Sequence, residues 1–395
     1  MNFVFISPHF PEAYWNFCDR LKKNGVNVLA ITDNNVENLT PELRNAINDH
    51  YQVNSLENYD EMVRALGYFT WKYGKIDWLE SNNEYWLEQD AALRTEFNIT
   101  TGYRNDKIGS IKSKEAMKKY YKLAGIPVAR HHMVSTEKAG KAFIKKVGDP
   151  VIVKPNIGVG AADTYKLNND EDFEAFYNNL PHVQYIMEEF IDGIICTYDG
   201  VCDNESNVLF ETSNVTPPIM DVVLDDTDVA YYTCKELPEK LREIGHKTIK
   251  AFGVKSRFFH LEFFRLNTAK EGLGEVGDYV ALEVNMRPAG GYTPDMINFA
   301  NSVDCYQIWA DMVAFNQCNV DLNKQHFYCT YAGRKDNKNY VHTEDEILEK
   351  YQSNLKMHVR MPDVFSLVMG NQMFVCNFDE YNEVEDFIRF VQEKA

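Results

Sequence analysis

Two short stretches carry side chains that could do chemistry together. In Tyr279 to Pro294 (YVALEVNMRPAGGYTP), strand period puts Tyr279, Ala281, Glu283, Asn285 and Arg287 on one face, with Val280, Leu282 and Val284 on the other. The run Phe258 to Phe264 alternates in the same way, with His260 and Glu262 set against Phe259, Leu261 and Phe263. If the two strands pair through the Gly-rich connection 267–278, Glu262 and Glu283 face one space. Two carboxylates and an amide, with an arginine two residues on, form an all-oxygen donor set. Magnesium favours such a set, as one or two carboxylates completed by phosphate oxygens and water. Exposed strand faces carry polar residues for many reasons, so the reading depends on what else accompanies them.

Two further features point to anions. Val151-Ile152-Val153-Lys154 is a β-branched strand ending in lysine and running into Pro155-Asn156-Ile157-Gly158-Val159-Gly160-Ala161. Glycines let backbone N–H groups approach a phosphate and the lysine adds a point charge, although a strand followed by a glycine turn is also ordinary hairpin punctuation. The loop lacks the GK[ST] ending of a Walker motif. Beyond Arg287, Gly290-Gly291-Tyr292 precedes Thr293-Pro294-Asp295, which opens a helix. The free N–H groups of that helix would seat a carboxylate or acyl-phosphate oxygen.

The elements that must position these residues follow in order. Asn2–Ile6, Val26–Ile31 and Ile76–Glu80 read as buried strands, separated by helical spacings at Phe10, Ala13, Phe17, Leu21 and at Met62, Leu66, Phe69, Tyr73. Thr40-Pro41-Glu42 is a helix start with a capping hydroxyl and proline at the first position. This alternation predicts a small doubly wound sheet over roughly the first 100 residues. It carries Ser7-Pro8-His9-Phe10-Pro11 where GxGxxG would stand, which argues against a dinucleotide. Ser113 caps a helix whose Met117, Tyr120, Tyr121 and Ala124 share a face, and Gly125 ends it. Strands at 128–134 and 184–189, helices over 136–147 and 237–252, and a small strand-rich segment over 326–395 complete the pattern. His131-His132 is no metal pair, because adjacent strand residues point to opposite faces. The acidic run Asp221 to Asp228 reads as a solvated loop near the cleft mouth.

Composition narrows the partners. A chain of 395 residues, 45% hydrophobic and 25% charged, is an ordinary globular protein of two or three subdomains. With 41 Lys and Arg against 59 Asp and Glu, its net charge of −18 argues against nucleic acid as a partner. A few lysines inside a cleft still suffice for a nucleotide, since exposed charges are screened beyond roughly 8 Å. The eight cysteines show no CxxC pair or disulfide framework, and no basic leader or long apolar run is present, so a reduced, cytoplasmic protein without a membrane span is expected. The cysteines also lack a companion histidine signature, which argues against a cysteine hydrolase.

In this order the pieces resemble the ATP-grasp superfamily, the fold of biotin carboxylase, carbamoyl phosphate synthetase and the carboxylate–amine ligases, over about residues 1–315. The resemblance implies an α/β chain. An N-terminal doubly wound α/β domain (1–105) is followed by the ATP-grasp lid subdomains (106–192) and catalytic subdomain (193–325), with a small C-terminal α+β subdomain (326–395). In the family a lysine precedes a GIP turn, as Lys114 precedes Gly125-Ile126-Pro127, and a second ends the strand before the glycine loop, as Lys154 does. The loop itself matches Gly158 to Ala161, including Gly160. The segment that holds adenine through main-chain groups resembles Glu188-Glu189-Phe190-Ile191. The metal ligands correspond to Glu262, Glu283 and Asn285, and the arginine that steadies the transferred phosphoryl group or acyl phosphate corresponds to Arg287. One departure is Ile195, which stands where many members carry a ribose-binding glutamate; that contact passes to Asp192 or Asp199 or is missing.

The resemblance implies ATP and one or two Mg2+ ions as cofactors, with Mn2+ an admissible substitute. It also implies small-molecule carboxylate and amine substrates, with a homodimer admitted. Gly290, Gly291 and Tyr292 would contact the carboxylate, and His260 would position a substrate or accept the amine's proton. A carbonate-activating, biotin-carboxylase-like enzyme and a nucleotide-binding protein without catalysis are the other readings of the same motifs.

Overall fold

The computed structural model describes residues 1–158, 163–218, 222 and 226–395, with the backbone alone for 363–365. Its first sheet is parallel, in the order β3 (Asp49–Gln52), β2 (Asn27–Thr32), β1 (Asn2–Ile6), β4 (Trp78–Glu80). Phe3, Val4, Phe5 and Ile6 are all fully buried, as parallel strands covered on both faces require. Phe3 and Phe5 pack with Phe17 of the helix Trp15–Lys23, while Val4 and Ile6 pack with Met62, Leu66 and Phe69 of the helix Tyr59–Tyr73. The expected doubly wound sheet is therefore present. Its strand order reverses between β1 and β4, so the crevice outside their carboxyl ends holds the loops Ser7–His9 and Ser81–Glu84.

A second, antiparallel sheet runs β5 (His131–Met133), β8 (Tyr185–Glu189), β6 (Val151–Pro155), β7 (Tyr165–Leu167). Phe173 and Phe176 of the helix Asp170–Asn178 cover one face. The third sheet has nine strands: β14 (Tyr279–Asn285), β13 (Arg257–Leu266), β9 (Gly193–Cys202), β11 (Asn214–Thr216), β12 (Ala230–Thr233), β15 (Tyr328–Arg334), β17 (Gln372–Phe378) and β16 (Leu355–Arg360), with β10 (Val208–Thr212) also paired to β9. Every pairing in it is antiparallel. Gly200 lets β9 meet its neighbours, because a Cβ there would fall 2.0 Å from Phe210 O and 2.6 Å from the Phe259 ring.

Two sets of contacts cross the expected subdomain boundaries. Residues 326–395 do not build a sheet of their own: β15 hydrogen-bonds β12, so the carboxyl-terminal strands extend the central sheet. The first sheet likewise shares its core with a distant segment. Trp309 and Tyr306 of the helix Cys305–Phe315 stand edge-on to Phe17, at ring-centroid distances of 5.0 and 4.7 Å. Glu80 of β4 bridges Arg94 (2.7 Å) and Arg257 of β13 (3.0 Å), with all three side chains at most 3% exposed. Breaking such a buried network by removing one partner costs about 3–5 kcal/mol, so the first sheet is anchored to the strand that carries His260 and Glu262.

Candidate functional site

Strands β13 and β14 pair in the expected way, but with a bulge between them. Leu261 lies opposite Val284, Glu262 opposite Glu283 and His260 opposite Asn285; Phe263 then faces Ala281, which leaves Leu282 as the extra residue. One inserted residue shifts the alternation by one. Tyr279 and Ala281 therefore turn to the apolar core with Val284, contrary to the strict period-2 reading, and Val280 packs with Phe264. Beyond the bulge Glu283, Asn285 and Arg287 line the same cavity as Glu262, and Leu282 joins them there. Asn285 Nδ2 donates to Glu262 Oε1 at 3.2 Å.

Behind Glu262 runs a buried polar chain from β9. His260 Nε2 lies 3.3 Å from Glu262 Oε1, and its Nδ1 lies 2.6 Å from Asp199 Oδ1. Asp199 Oδ2 accepts from Thr197 and, at 2.9 Å, from Asn214 Nδ2, whose own oxygen accepts from Thr233 at 2.7 Å. Burial pulls the His260 imidazole down, yet Asp199 and Glu262 outweigh it and hold it at about 9. With both ring nitrogens engaged by carboxylates, His260 holds Glu262 in place, and the expected role as proton acceptor finds no free nitrogen in this arrangement. His260 also does not line the cavity. Asp199, committed to this chain and 1% exposed, is removed as a ribose contact, whereas Asp192 does line the cavity.

The cavity has a volume of about 480 Å3 and gathers Lys114, Lys154, Glu188, Glu189, Phe190, Ile191, Asp192, Glu262, Glu283, Asn285 and Arg287. Lys114 begins the helix Lys114–Leu123, capped by Ser113 Oγ on Ala116 N–H at 3.2 Å. Asn156, two residues past Lys154, accepts the Lys114 and Glu115 N–H groups, each at 2.9 Å, which ties the two lysine-bearing elements together. Lys114 Nζ lies 3.4 Å from Glu283 Oε1, and Lys154 Nζ lies 3.0 Å from Glu188 Oε2. Burial and the neighbouring Glu262 and Glu84 charges push the Glu283 carboxyl up, against the pull of Lys114. Burial raises Glu262 too, but His260, Arg287 and Lys154 bring it down.

The 188–192 segment forms the cavity's rim. Glu189 is fixed by the Arg130 backbone N–H (2.6 Å) and guanidinium (2.6 and 2.9 Å), and Lys270 Nζ donates to Phe190 O at 2.5 Å. Asp192 accepts from Asn267 (3.0 Å) and Thr268 (3.2 Å). Gly193 follows because a Cβ would stand 2.7 Å from Arg265 O. Ile195 lines the cavity as an apolar wall.

Arg287 faces a partner that the sequence reading did not single out. Its Nη2 is paired with Glu84, from the loop after β4, and its Nη1 donates to Pro288 O at 2.9 Å, leaving Nε buried without a hydrogen-bond partner among the described residues. Lys112 stands 3.7 Å from the other Glu84 oxygen. Burial raises the Glu84 carboxyl, but Arg287 and Lys112 bring it below its ordinary value. Lys118 was also overlooked, although it lies one helical turn from Lys114; its Nζ is 2.8 Å from Glu188 Oε1. The sequence signal for Glu84 was its place just after the strand Ile76–Glu80 of an expected doubly wound sheet, where ligand-binding loops gather.

Besides His260, four expected residues are not brought in. Gly290, Gly291 and Tyr292 lie outside the cavity lining; Gly291 takes φ +61° in the turn, and Tyr292 packs against the apolar cluster around Met296 and Tyr331. Gly158 follows β6 outside the lining, and Gly160 falls outside the described residues. Of the acidic run, Asp228 has its side chain only 3% exposed and paired with Lys338 (3.4 Å) and Lys394 rather than solvated. A groove of about 640 Å3 beside β7 is lined by Lys166 and Asp172 among apolar and amide residues, and Asp172 is engaged by the Asn168 N–H at 2.8 Å.

Among the described residues no group of three or more His, Cys, Asp or Glu is placed to hold a metal by itself. Of the carboxylates lining this cleft, Glu84, Glu188 and Glu189 are each held by arginine or lysine, and Glu262 and Glu283, paired across the two strands, stand with the Asn285 amide as the donor set. That set suits a hard cation completed by ligands from a phosphate or water, and it does not suit a closed zinc site.

Over residues 112–255 the chain matches the family model described as an ATP-grasp domain. Among curated proteins it is similar to an L-arginine-specific L-amino acid ligase of Bacillus subtilis, 24% identical over 268 residues, covering 64% of this chain and 61% of that one. It is also similar to an alanine–anticapsin ligase of the same organism, 22% identical over 306 residues, covering 68% and 59%. The aligned stretch thus spans about three-fifths of the length of each relative. The crystal structure of an L-amino acid ligase from Bacillus licheniformis superposes with a TM-score of 0.72 at 14% identity, covering 98% of this chain and 96% of that one, and shares its fold. Among the described residues no helix is long and apolar enough to cross a membrane.

Proposed function

We propose that this chain is an ATP- and Mg2+-dependent carboxylate–amine ligase that forms an amide or peptide-like bond through an acyl phosphate and releases ADP and phosphate. The observation that carries the reading is the convergence of Glu262, Glu283, Asn285, Lys114, Lys154 and Arg287 on one cavity rimmed by the 188–192 segment. The ligase names of the two curated relatives support the same class. In this reading adenine lies against the main chain of Glu188 to Ile191, and Asp192 is the acidic group nearest the ribose. Lys114 and Lys154 donate to phosphate oxygens; each charge-assisted contact is worth about 1.5–3 kcal/mol. Glu262, Glu283 and Asn285 hold the divalent ion, which when bound offsets charge on the phosphates.

The chemical steps follow from the residues that face the phosphates. A substrate carboxylate oxygen attacks the terminal phosphorus, the bond to the bridging oxygen breaks, and ADP leaves. Arg287 stabilises the charge that builds on the transferred group and on the acyl phosphate. The amine then attacks the acyl carbon, the acyl–oxygen bond breaks, and phosphate departs with the proton surrendered by the amine.

ADP release measured over a panel of amino acids, with and without bicarbonate, tests the reading. Release that depends on amino acids is expected. Dependence on bicarbonate would replace the ligase with a carbonate-activating enzyme, and nucleotide binding without release under any condition would leave a non-catalytic nucleotide-binding protein.

A further inference from the structure

Glu188 sits between two lysines of different standing. Lys154 Nζ approaches Oε2 at 3.0 Å from the cavity side, and Lys118 Nζ approaches Oε1 at 2.8 Å from behind. Lys118 is 2% exposed and does not line the cavity. A lysine buried on a helix face shared with Lys114, Met117 and Tyr121 is costly unless its charge is used. Burial pulls the Lys118 ammonium down, and Glu188 is the first group to oppose that pull. His131, opposite Glu188 on β5, is a poor substitute for that ammonium, since burial and the Lys118 and Lys122 charges lower its imidazole and so disfavour its charged form.

We propose that Lys118 is a positioning residue for the nucleotide site, keeping Glu188 compensated when Lys154 turns from it to a phosphate oxygen. This inference rests on the ligase reading only in taking Lys154 as the lysine that meets phosphate. One carboxylate shared by two lysines keeps a partner when either of them turns away, and Lys154 is the one on the cavity side. With Lys118 present, Lys154 leaves a carboxylate that still has a partner at 2.8 Å. With Lys118 gone, each contact between Lys154 and phosphate strands a carboxylate that is only 4% exposed. Lys154 then stays on Glu188, the competent fraction of the protein falls, and apparent nucleotide affinity falls in proportion.

The test is calorimetric binding of a magnesium complex of a non-hydrolysable ATP analogue to the full chain, needing no turnover. Lys118→Met is expected to bind about tenfold more weakly, Lys118→Arg close to wild type, and Lys118→Met/Glu188→Gln more tightly than Lys118→Met alone, because the carboxylate that traps Lys154 is gone. Lys118→Gln, which keeps a donor but no charge, should show the same weakening and serves in place of Lys118→Met if that variant does not fold. A neutral variant that binds less than threefold more weakly than wild type, or a double variant no tighter than the single, overturns the proposal. A residue that merely anchors the helix to β8 would give the latter result. Failure of the wild-type chain to bind the analogue would instead refute the nucleotide reading itself.

Discussion

Replacing Arg287 by alanine separates what this side chain does for the fold from what it does for the reaction. Arg287 is 13% exposed and paired with Glu84, itself 10% exposed. Removing one partner of a buried pair costs about 3–5 kcal/mol. Lys112 remains near the orphaned carboxylate, at 3.7 Å, so the loss should fall at the low end, about 3 kcal/mol, read as a lower urea midpoint at unchanged m-value. Lys114 and Lys154 are untouched, so nucleotide affinity should hold. Turnover should drop by about 10²–10³, the cost of losing one donor aimed at charge that develops in the transition state. Glu84→Gln added to Arg287→Ala removes the stranded charge; stability should largely return while the rate does not. A coupled assay of ADP release with the best amino acid of the panel, run beside the urea titrations, reads both effects. Turnover of Arg287→Ala within tenfold of wild type would refute the reasoning, and so would a double variant that regains rate along with stability.

Further outcomes follow from the same contacts. Asp199→Asn loosens the support that reaches Glu262 through His260, and should raise the magnesium concentration needed for half-maximal nucleotide binding by about tenfold, as for other residues behind a metal ligand; an unchanged magnesium titration would contradict that role. Burial pushes the Glu188 carboxyl up, but Lys118 and Lys154 more than offset this and hold it at about 2, against an ordinary 4.5. A carboxylate depressed in the folded state stabilises fully above its unfolded value and loses that contribution as pH falls through the folded one. The excess stability of wild type over Glu188→Gln should therefore be constant from neutrality to about pH 4.5 and shrink toward pH 2, checked by urea midpoints across that range. Gly200→Ala drives a methyl into Phe210 O and the Phe259 ring and should cost about 1–3 kcal/mol, visible as a lower Tm.

What the sequence revealed, and what it hid, divides along physical lines. Strands and helices with strong periodicity were legible, including the β13–β14 pairing that sets Glu262 against Glu283. The bulge was not: Leu282 is chemically a normal strand residue, and nothing local announces that it has no partner. Pairing across distant segments was equally silent. Glu84 reaches Arg287 over 203 positions, and Glu80 reaches Arg257 over 177, through topology that periodicity does not encode. Lys118 was hidden for a different reason, since a lysine four residues from another on a helix reads as solvated surface until burial shows otherwise. The turn at Gly290 and Gly291 illustrates the reverse error. Its free N–H groups made it look like an anion seat, while the chain direction after Arg287 carries it past the cavity.

The ladder between β12 and β15 bears on how this protein can be divided. A shortened chain stopping near position 325 would not shed a tethered lobe; it would bare the unpaired N–H and C=O groups of Ala230 to Thr233 along an open margin, next to an uncovered Tyr231. Exposed edges of that sort recruit other chains, so such a fragment should be sticky in solution even with every cleft residue intact.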